Sequence, residues 1–171
     1  MNVRYLNPFV EAASEVLLAE TALKAERGVL SLEKAPYVTE EVTVVLSLIG
    51  QINGVVFYSL SEAVAKFLAG RMLGEPFADF DGLAQSGIAE LGNVITGRAS
   101  VKLAEAGCRA DISPPTLLTG QGATLSTLQM ARLVVPLHLG SGSLTIHLAL
   151  REGSQLSGSA ANLPIRVPAA G

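Results

Sequence analysis

The sequence contains a single cysteine, no tryptophan, and only 16% charged residues among its 171. A lone Cys108 can neither close a disulfide within the chain nor supply half of a CxxC pair, which argues against a disulfide scaffold and a zinc ribbon. It makes a reducing cytoplasm the expected setting. Lys and Arg number 12 against 15 Asp and Glu, a formal charge of −3. No cluster of Lys or Arg is longer than two residues, so the basic stripe that nucleic-acid binding requires is missing. Long apolar runs are missing too, although 49% of the residues are hydrophobic. Thr43 and Ser47 interrupt Val42 to Ile49, and Pro136 and His138 interrupt Leu133 to Leu139. Neither run approaches the ~20 residues that span a bilayer, and no membrane partner is expected. Arg4, Glu11 and Glu15 break the apolar core that a signal peptide would need. The common catalytic signatures GxGxxG, P-loop, HExxH and GxSxG are also absent.

What remains is a chain long enough to bury roughly 70% of its unfolded surface without staples. Val10, Ala13, Leu17 and Leu18 recur at helical spacing from Asn7 to about Leu23, with Asn7 as cap and Pro8 in the first turn. Strands are predicted at Val29 to Glu33, Val42 to Leu48 and Val55 to Leu60, the last two joined by an Asn53-Gly54 turn. Ser61 then caps a helix from Glu62 to Leu73 that stops at Gly74 and Pro76. A long helix from about Asp79 to Ala106 ends at Gly107. Strand patterns follow at Arg109 to Ile112, Thr116 to Leu118, Ala131 to Leu139 and Ser143 to Leu150, the last pair joined at Gly140-Ser141-Gly142.

A helix followed by three strands therefore occurs twice, an internal pseudo-repeat of diverged sequence. Three helices and about six strands imply an α+β domain with a mostly antiparallel sheet. It covers residues 1–150. Residues 151–171, rich in Gly, Ser, Ala and Pro, read as a flexible tail.

Few residues offer chemistry. His138 and His147 fall in neighbouring strands and could approach across the hairpin, but zinc needs at least three ligands and no third is evident. Two strand histidines bonded to backbone or solvent are the plainer reading. Arg109 beside Cys108 could depress its pKa, yet a small hydrophobe at a helix-to-strand junction is the plainer reading.

The long helix is different. At about 100° per residue, Ser86, Glu90, Asn93 and Gly97 fall within roughly 60° of one face. Ala84, Ile88, Leu91, Ile95 and Ala99 gather on the other. Glu90 and Asn93, three apart, are neighbours able to grip one object together. Gly87, Gly92 and Gly97 each cost about 1 kcal/mol relative to Ala inside a helix, so helix stability did not place them. Gly97, on the Glu/Asn face, would let another protein's surface approach the backbone. Gly92 points inward and permits close packing on the sheet. From spacing alone, an ordinary solvated face is the plainer reading.

The pattern Ser86-x-x-x-Glu90-x-x-Asn93, continued by Ile95-x-Gly97-x-Ala99, resembles the CheC/CheX/FliY family of chemotaxis phosphatases, and most of all its CheX branch. The opening Asn2 to Phe9, the stretch Ser113 to Gly122, and Val134-Val135-Pro136 share the likeness, which spans about residues 1–150. The resemblance implies a phosphatase acting on a phosphorylated CheY-type response regulator. It implies that the Asn93 amide orients the attacking water, that Glu90 engages a receiver lysine, and that Ser86 and Gly97 contribute at most to docking. It also implies no cofactor of the chain's own, Mg²⁺ being held by the receiver, and a homodimer joined at sheet edges. Family members with two active surfaces carry a second ExxN on the first helix. Here that slot reads Glu11-Ala12-Ala13-Ser14, and Ser14 is too short to replace an Asn amide, so one surface per chain is expected. A non-catalytic module of the same fold that binds a response regulator or the flagellar switch is the alternative.

Overall fold

A short 3₁₀ turn, Val3–Tyr5, runs straight into the first helix, α1 (Leu6–Thr21), in a computed structural model that describes residues 3–128 and 130–153. Tyr5 is already near-helical at φ −80° and ψ −15° and makes no side-chain cap. Asn7 is therefore inside the helix rather than its predicted cap, because the 3₁₀ turn supplies the entry. Pro8 still sits in the first turn, where its missing N–H costs nothing.

Among the described residues, ten strands and two further helices follow: β1 (Glu26–Arg27), β2 (Ser31–Glu33), β3 (Tyr37–Val38), β4 (Val42–Gly50), β5 (Ile52–Leu60), α2 (Glu62–Leu73), α3 (Gly82–Glu105), β6 (Ala110–Ile112), β7 (Thr116–Thr119), β8 (Thr124–Leu125), β9 (Arg132–His138) and β10 (Ser143–Glu152). The predicted α+β class, three α-helices and mostly antiparallel sheet hold. The strand count differs because the two-residue strands β1, β3 and β8 fall outside the predicted segments. The stretch predicted as Val29 to Glu33 contains β2, and β1 precedes it, the two laid end to end along β9. Likewise β6 and β7 share one side of β4. The main sheet thus runs β1/β2, β9, β10, β5, β4, β6/β7, with β3 and β8 forming a separate two-stranded sheet.

This order exposes how the repeat is assembled. The β4–β5 and β9–β10 hairpins meet at the centre through β5 and β10. Each half lends its outer strands to the other half's hairpin: β1/β2 flank β9, and β6/β7 flank β4. Consequently β4 is not an edge. Its strongly apolar stretch Val42 to Leu48 has β5 on one side and β6/β7 on the other. The outer positions are short, interrupted strands, a form that discourages uncontrolled pairing.

The hairpin between β4 and β5 also corrects the turn assignment. Leu48 pairs with Gly54, which centres the reversal on Gln51 and places Asn53-Gly54 inside the strand. Asn53 Oδ1 accepts from the Gly50 N–H at 2.7 Å. Gly54 is required for proximity: at φ +148°, a Cβ there would lie 2.0 Å from the Ala149 carbonyl oxygen of β10. The Gly140 turn is as predicted, with Gly140 at φ +80° and Leu139 N–H donating to Gly142 O at 2.8 Å. Arg151 and Glu152 extend β10 past the predicted end of the domain. Residues 154–171 of the predicted tail lie outside the described residues.

Strand alternation decides which face each residue serves. Val42, Val44, Leu46 and Leu48 of β4 and Val56, Tyr58 and Leu60 of β5 join Phe9, Ala13 and Leu17 of α1 and Ile88, Leu91 and Ile95 of α3 in one core. α1 and α3 lie antiparallel over it, as Glu15 meets Arg98 at 2.9 Å and Glu11 meets Lys102 at 3.3 Å. On the sheet's opposite face Tyr37 stacks on Phe57, ring centroids 5.6 Å apart, and lies 4.7 Å from the His147 ring. Among the described residues no helix is long and apolar enough to cross a membrane.

Candidate active surface on the third helix

α3 begins where Asp81 accepts from the backbone N–H groups of Leu83 and Ala84, at 3.1 and 2.9 Å. That cap satisfies two of the helix's orphan donors and starts the 24-residue helix without help from its sequence propensity. The amphipathic reading of its faces is correct. Ala84, Ile88, Leu91, Ile95 and Ala99 are all buried, Ser86 and Glu90 are exposed, and Asn93 and Gly97 are half-buried. All four candidate residues therefore stand on one outward ridge.

Within that ridge the structure couples two of the four. Asn93 Nδ2 donates to Glu90 Oε2 at 3.3 Å. The amide oxygen of Asn93 is an acceptor by its chemistry. Ser86 is occupied locally, its hydroxyl donating to the Gly82 carbonyl at 2.9 Å. Gly97 sits over β6, where an added Cβ would be only 3.8 Å from Ile112 Cδ1, an ordinary contact. A groove of about 670 Å³ lies elsewhere, between α2 and the segment after it, lined by Lys66, Phe67, Gly70, Pro76 and Phe77 and by none of the ridge residues.

Beneath the ridge, Gly92 does what its inward position suggested. A Cβ there would come 2.8 Å from Val44 Cγ1 and 3.2 Å from Tyr58 Cδ2, so only glycine lets α3 descend this far onto β4 and β5. Thr96, fully buried, donates its hydroxyl to the Gly92 carbonyl at 2.7 Å and lies 2.8 Å from the Tyr58 hydroxyl. Burial pushes the Tyr58 phenol well above its ordinary pKa. Sequence reasoning overlooked this pair. Its only trace is a threonine at a core position of the helix and a tyrosine inside an apolar strand.

The first-helix slot is differently engaged. Lys102 reaches both Glu11, at 3.3 Å, and Glu15, at 2.7 Å. Lys102 first, and then Arg98, holds the Glu15 carboxyl below its usual range, and Glu15 in turn raises Lys102. Glu11 is thus part of an ion-pair ladder between α1 and α3, and Ser14 carries no amide.

The two histidines do not converge. His138 pairs with Ser143, whereas His147 pairs with Val134, four residues further along β10. His138 Nδ1 is 2.9 Å from the Ser143 hydroxyl. His147 is buried with both nitrogens engaged: Arg132 Nε donates to Nδ1 at 3.2 Å, which leaves Nε2 protonated and facing the Ser59 hydroxyl at 2.9 Å. Such a ring can neither ligate a metal nor take a proton from Ser59. Among the described residues no group of three or more His, Cys, Asp or Glu is placed to hold a metal ion. Cys108 lies half-buried against the core.

With this geometry established, the comparisons with known proteins converge. Residues 42–138 match the family described as chemotaxis phosphatase CheX. The CheY-P phosphatase CheX of Thermotoga maritima is 27% identical over 155 residues, covering 90% of this chain and 99% of that protein. A CheC-like superfamily protein from Shewanella sp. PV-4 shares the fold, with TM-score 0.80 at 24% identity over 88% of this chain and 99% of that one. A chain of the CheX–CheY–BeF₃–Mg²⁺ complex from Borrelia burgdorferi is 28% identical with TM-score 0.75, over 88% of this chain and 100% of that one. Because the matched segment is more than half of the sequence, the chain belongs to the chemotaxis phosphatase CheX family.

Proposed function

We propose that this protein dephosphorylates the phospho-aspartate of a CheY-type response regulator, with Asn93 orienting the attacking water and Glu90 engaging a lysine beside the receiver's active site. The observation that carries the reading is the Glu90–Asn93 pair, joined at 3.3 Å on the outward face of α3. The Thermotoga maritima relative named for CheY-P phosphatase activity and the Borrelia burgdorferi complex with CheY support the same class of substrate.

An acyl phosphate hydrolyses unaided, so a catalyst need only hold water in line with the scissile P–O bond and exclude other geometries. A carboxamide oxygen accepting a water hydrogen performs that task with no nucleophile, base or metal of its own. The Mg²⁺ belongs to the receiver. Ser86 and Gly97 flank the pair and form part of the docking surface. The active surface is single, since Glu11 is bonded to Lys102 and Ser14 offers no amide in the corresponding slot of α1. A cytoplasmic homodimer fits the reading, and joining at sheet edges would have to use the β1/β2 or β6/β7 side.

The test is the decay of a phosphorylated CheY-type receiver with and without the protein. Wild type accelerates it, Asn93→Ala loses roughly a hundredfold while binding survives, and Glu90→Lys weakens binding by facing the receiver lysine with like charge. No acceleration by wild type, with binding intact, leaves the non-catalytic binding module as the answer.

A further inference from the structure

Thr96 has one hydroxyl proton, and the Gly92 carbonyl, 2.7 Å away, can only accept it. The Tyr58 hydroxyl, 2.8 Å from Thr96 Oγ1, must then be the donor in their contact. The hydrogen bonds therefore run in one direction, from Tyr58 on β5 through Thr96 to the Gly92 carbonyl. Both side chains are at most 1% exposed. The Gly92 carbonyl belongs to the peptide unit whose nitrogen is that of Asn93. A bond from the sheet thus ends on the peptide plane from which the Asn93 side chain hangs. Gly92 makes it possible, since any Cβ there would hold the helix away from Val44 and Tyr58.

We propose that Tyr58 and Thr96 are positioning residues for Asn93, acting by locking the Gly92–Asn93 peptide at a set height and tilt over the sheet. This rests on the reading of Asn93 as the water-orienting group. Asn93 is then held from two sides, by the locked peptide below and by Glu90 Oε2 on the surface. Water-positioning catalysis is sensitive to such placement, because a displacement of about 1 Å can cost on the order of a hundredfold in rate. Neither residue reaches the surface, so neither contacts the receiver.

The experiment measures kcat and KM for dephosphorylation of a CheY-type receiver by the full chain carrying Thr96→Val, Tyr58→Phe, both together, Thr96→Ser, or Asn93→Ala. Binding to the same receiver activated with BeF₃ and Mg²⁺ is measured in parallel. The expected result is a kcat reduced about tenfold in Thr96→Val and Tyr58→Phe with KM and receiver binding within twofold, and substantial recovery in Thr96→Ser, which keeps the hydroxyl. The double variant removes both buried polar groups and so regains thermal stability, but not kcat. If the pair only stabilised the fold, kcat would return with stability, and that outcome overturns the proposal. In the Asn93→Ala background Thr96→Val should reduce the residual rate no further, and an additional loss there also overturns it. Wild-type turnover in Asn93→Ala defeats the underlying reading. Loss in Asn93→Ala with wild-type kcat in Thr96→Val defeats the positioning role alone.

Discussion

Lowering the pH from 7 to 5 is expected to cost the fold about 2 kcal/mol through His147 alone. The ring is 5% exposed, with Arg132, Tyr37, Phe57 and Ser59 around it. Burial, followed by the Arg132 charge, pushes its pKa from 6.5 down to about 3. A second ring proton would point at a guanidinium. In the unfolded chain the same histidine protonates near pH ~6.5. Between those two values the unfolded state binds more protons, so stability rises with pH across the window. The contribution is complete above about pH 7, begins to fall below about 6.5, and is fully lost near 3. The ~1.5 units between pH 6.5 and 5, at about 1.4 kcal/mol each, give the figure of ~2 kcal/mol. Urea denaturation at pH 7.5 and 5.0 of wild type and His147→Gln measures it. Exposed carboxylates such as Glu15, whose depressed pKa also removes stability in acid, are common to both proteins and cancel in the difference. The variant should lose about 2 kcal/mol less than wild type over this range. Identical pH dependence of the two would refute the assignment of a buried neutral imidazole.

Gly92→Ala sets a helix-propensity gain of about 1 kcal/mol against overpacking of ~1–3 kcal/mol on Val44 and Tyr58. A lower melting temperature together with a fall in phosphatase kcat is expected, and a stabilised, fully active variant would contradict the close approach. Gly54→Ala should be destabilised by about 3 kcal/mol or more, since its Cβ would collide with the Ala149 carbonyl at a φ that L-residues avoid. Soluble expression and thermal unfolding report on it. Glu33→Gln removes the charged partner of Arg132, whose side chain is 3% exposed. A loss of about 2 kcal/mol in chemical denaturation is expected, less than the ~3–5 of a fully buried pair because Glu33 is 44% exposed. Asp81→Ala should cost about 1 kcal/mol by uncapping α3, read as a shift of the urea midpoint with unchanged slope.

Local pattern carried the helices and most strands because each has to bury one face, and the spacing of apolar residues records which. Ile88, Leu91 and Ile95 were placed in the core and Glu90 and Asn93 outside it by angular arithmetic alone. Pairing between distant segments leaves no such record. Asn53-Gly54 has the composition of a tight turn, yet the register of β4 on β5 centres the reversal on Gln51, and the glycine serves the approach of β10 instead. For the same reason an approach of His138 to His147 stays open in the sequence, and only the strand register gives them different partners.

The order of residues by itself determined an α+β domain of two similar halves and an outward ridge bearing a carboxylate and a carboxamide, since periodicity is a property of neighbours along the chain. Only the tertiary structure decided that the halves exchange their outer strands, that β4 is enclosed, and that Tyr58 and Thr96 meet beneath Asn93. Those features are hydrogen bonds and contacts between segments tens of residues apart, and their geometry exists only once the sheet has set every strand's register and the glycine at 92 has let the helix settle onto it.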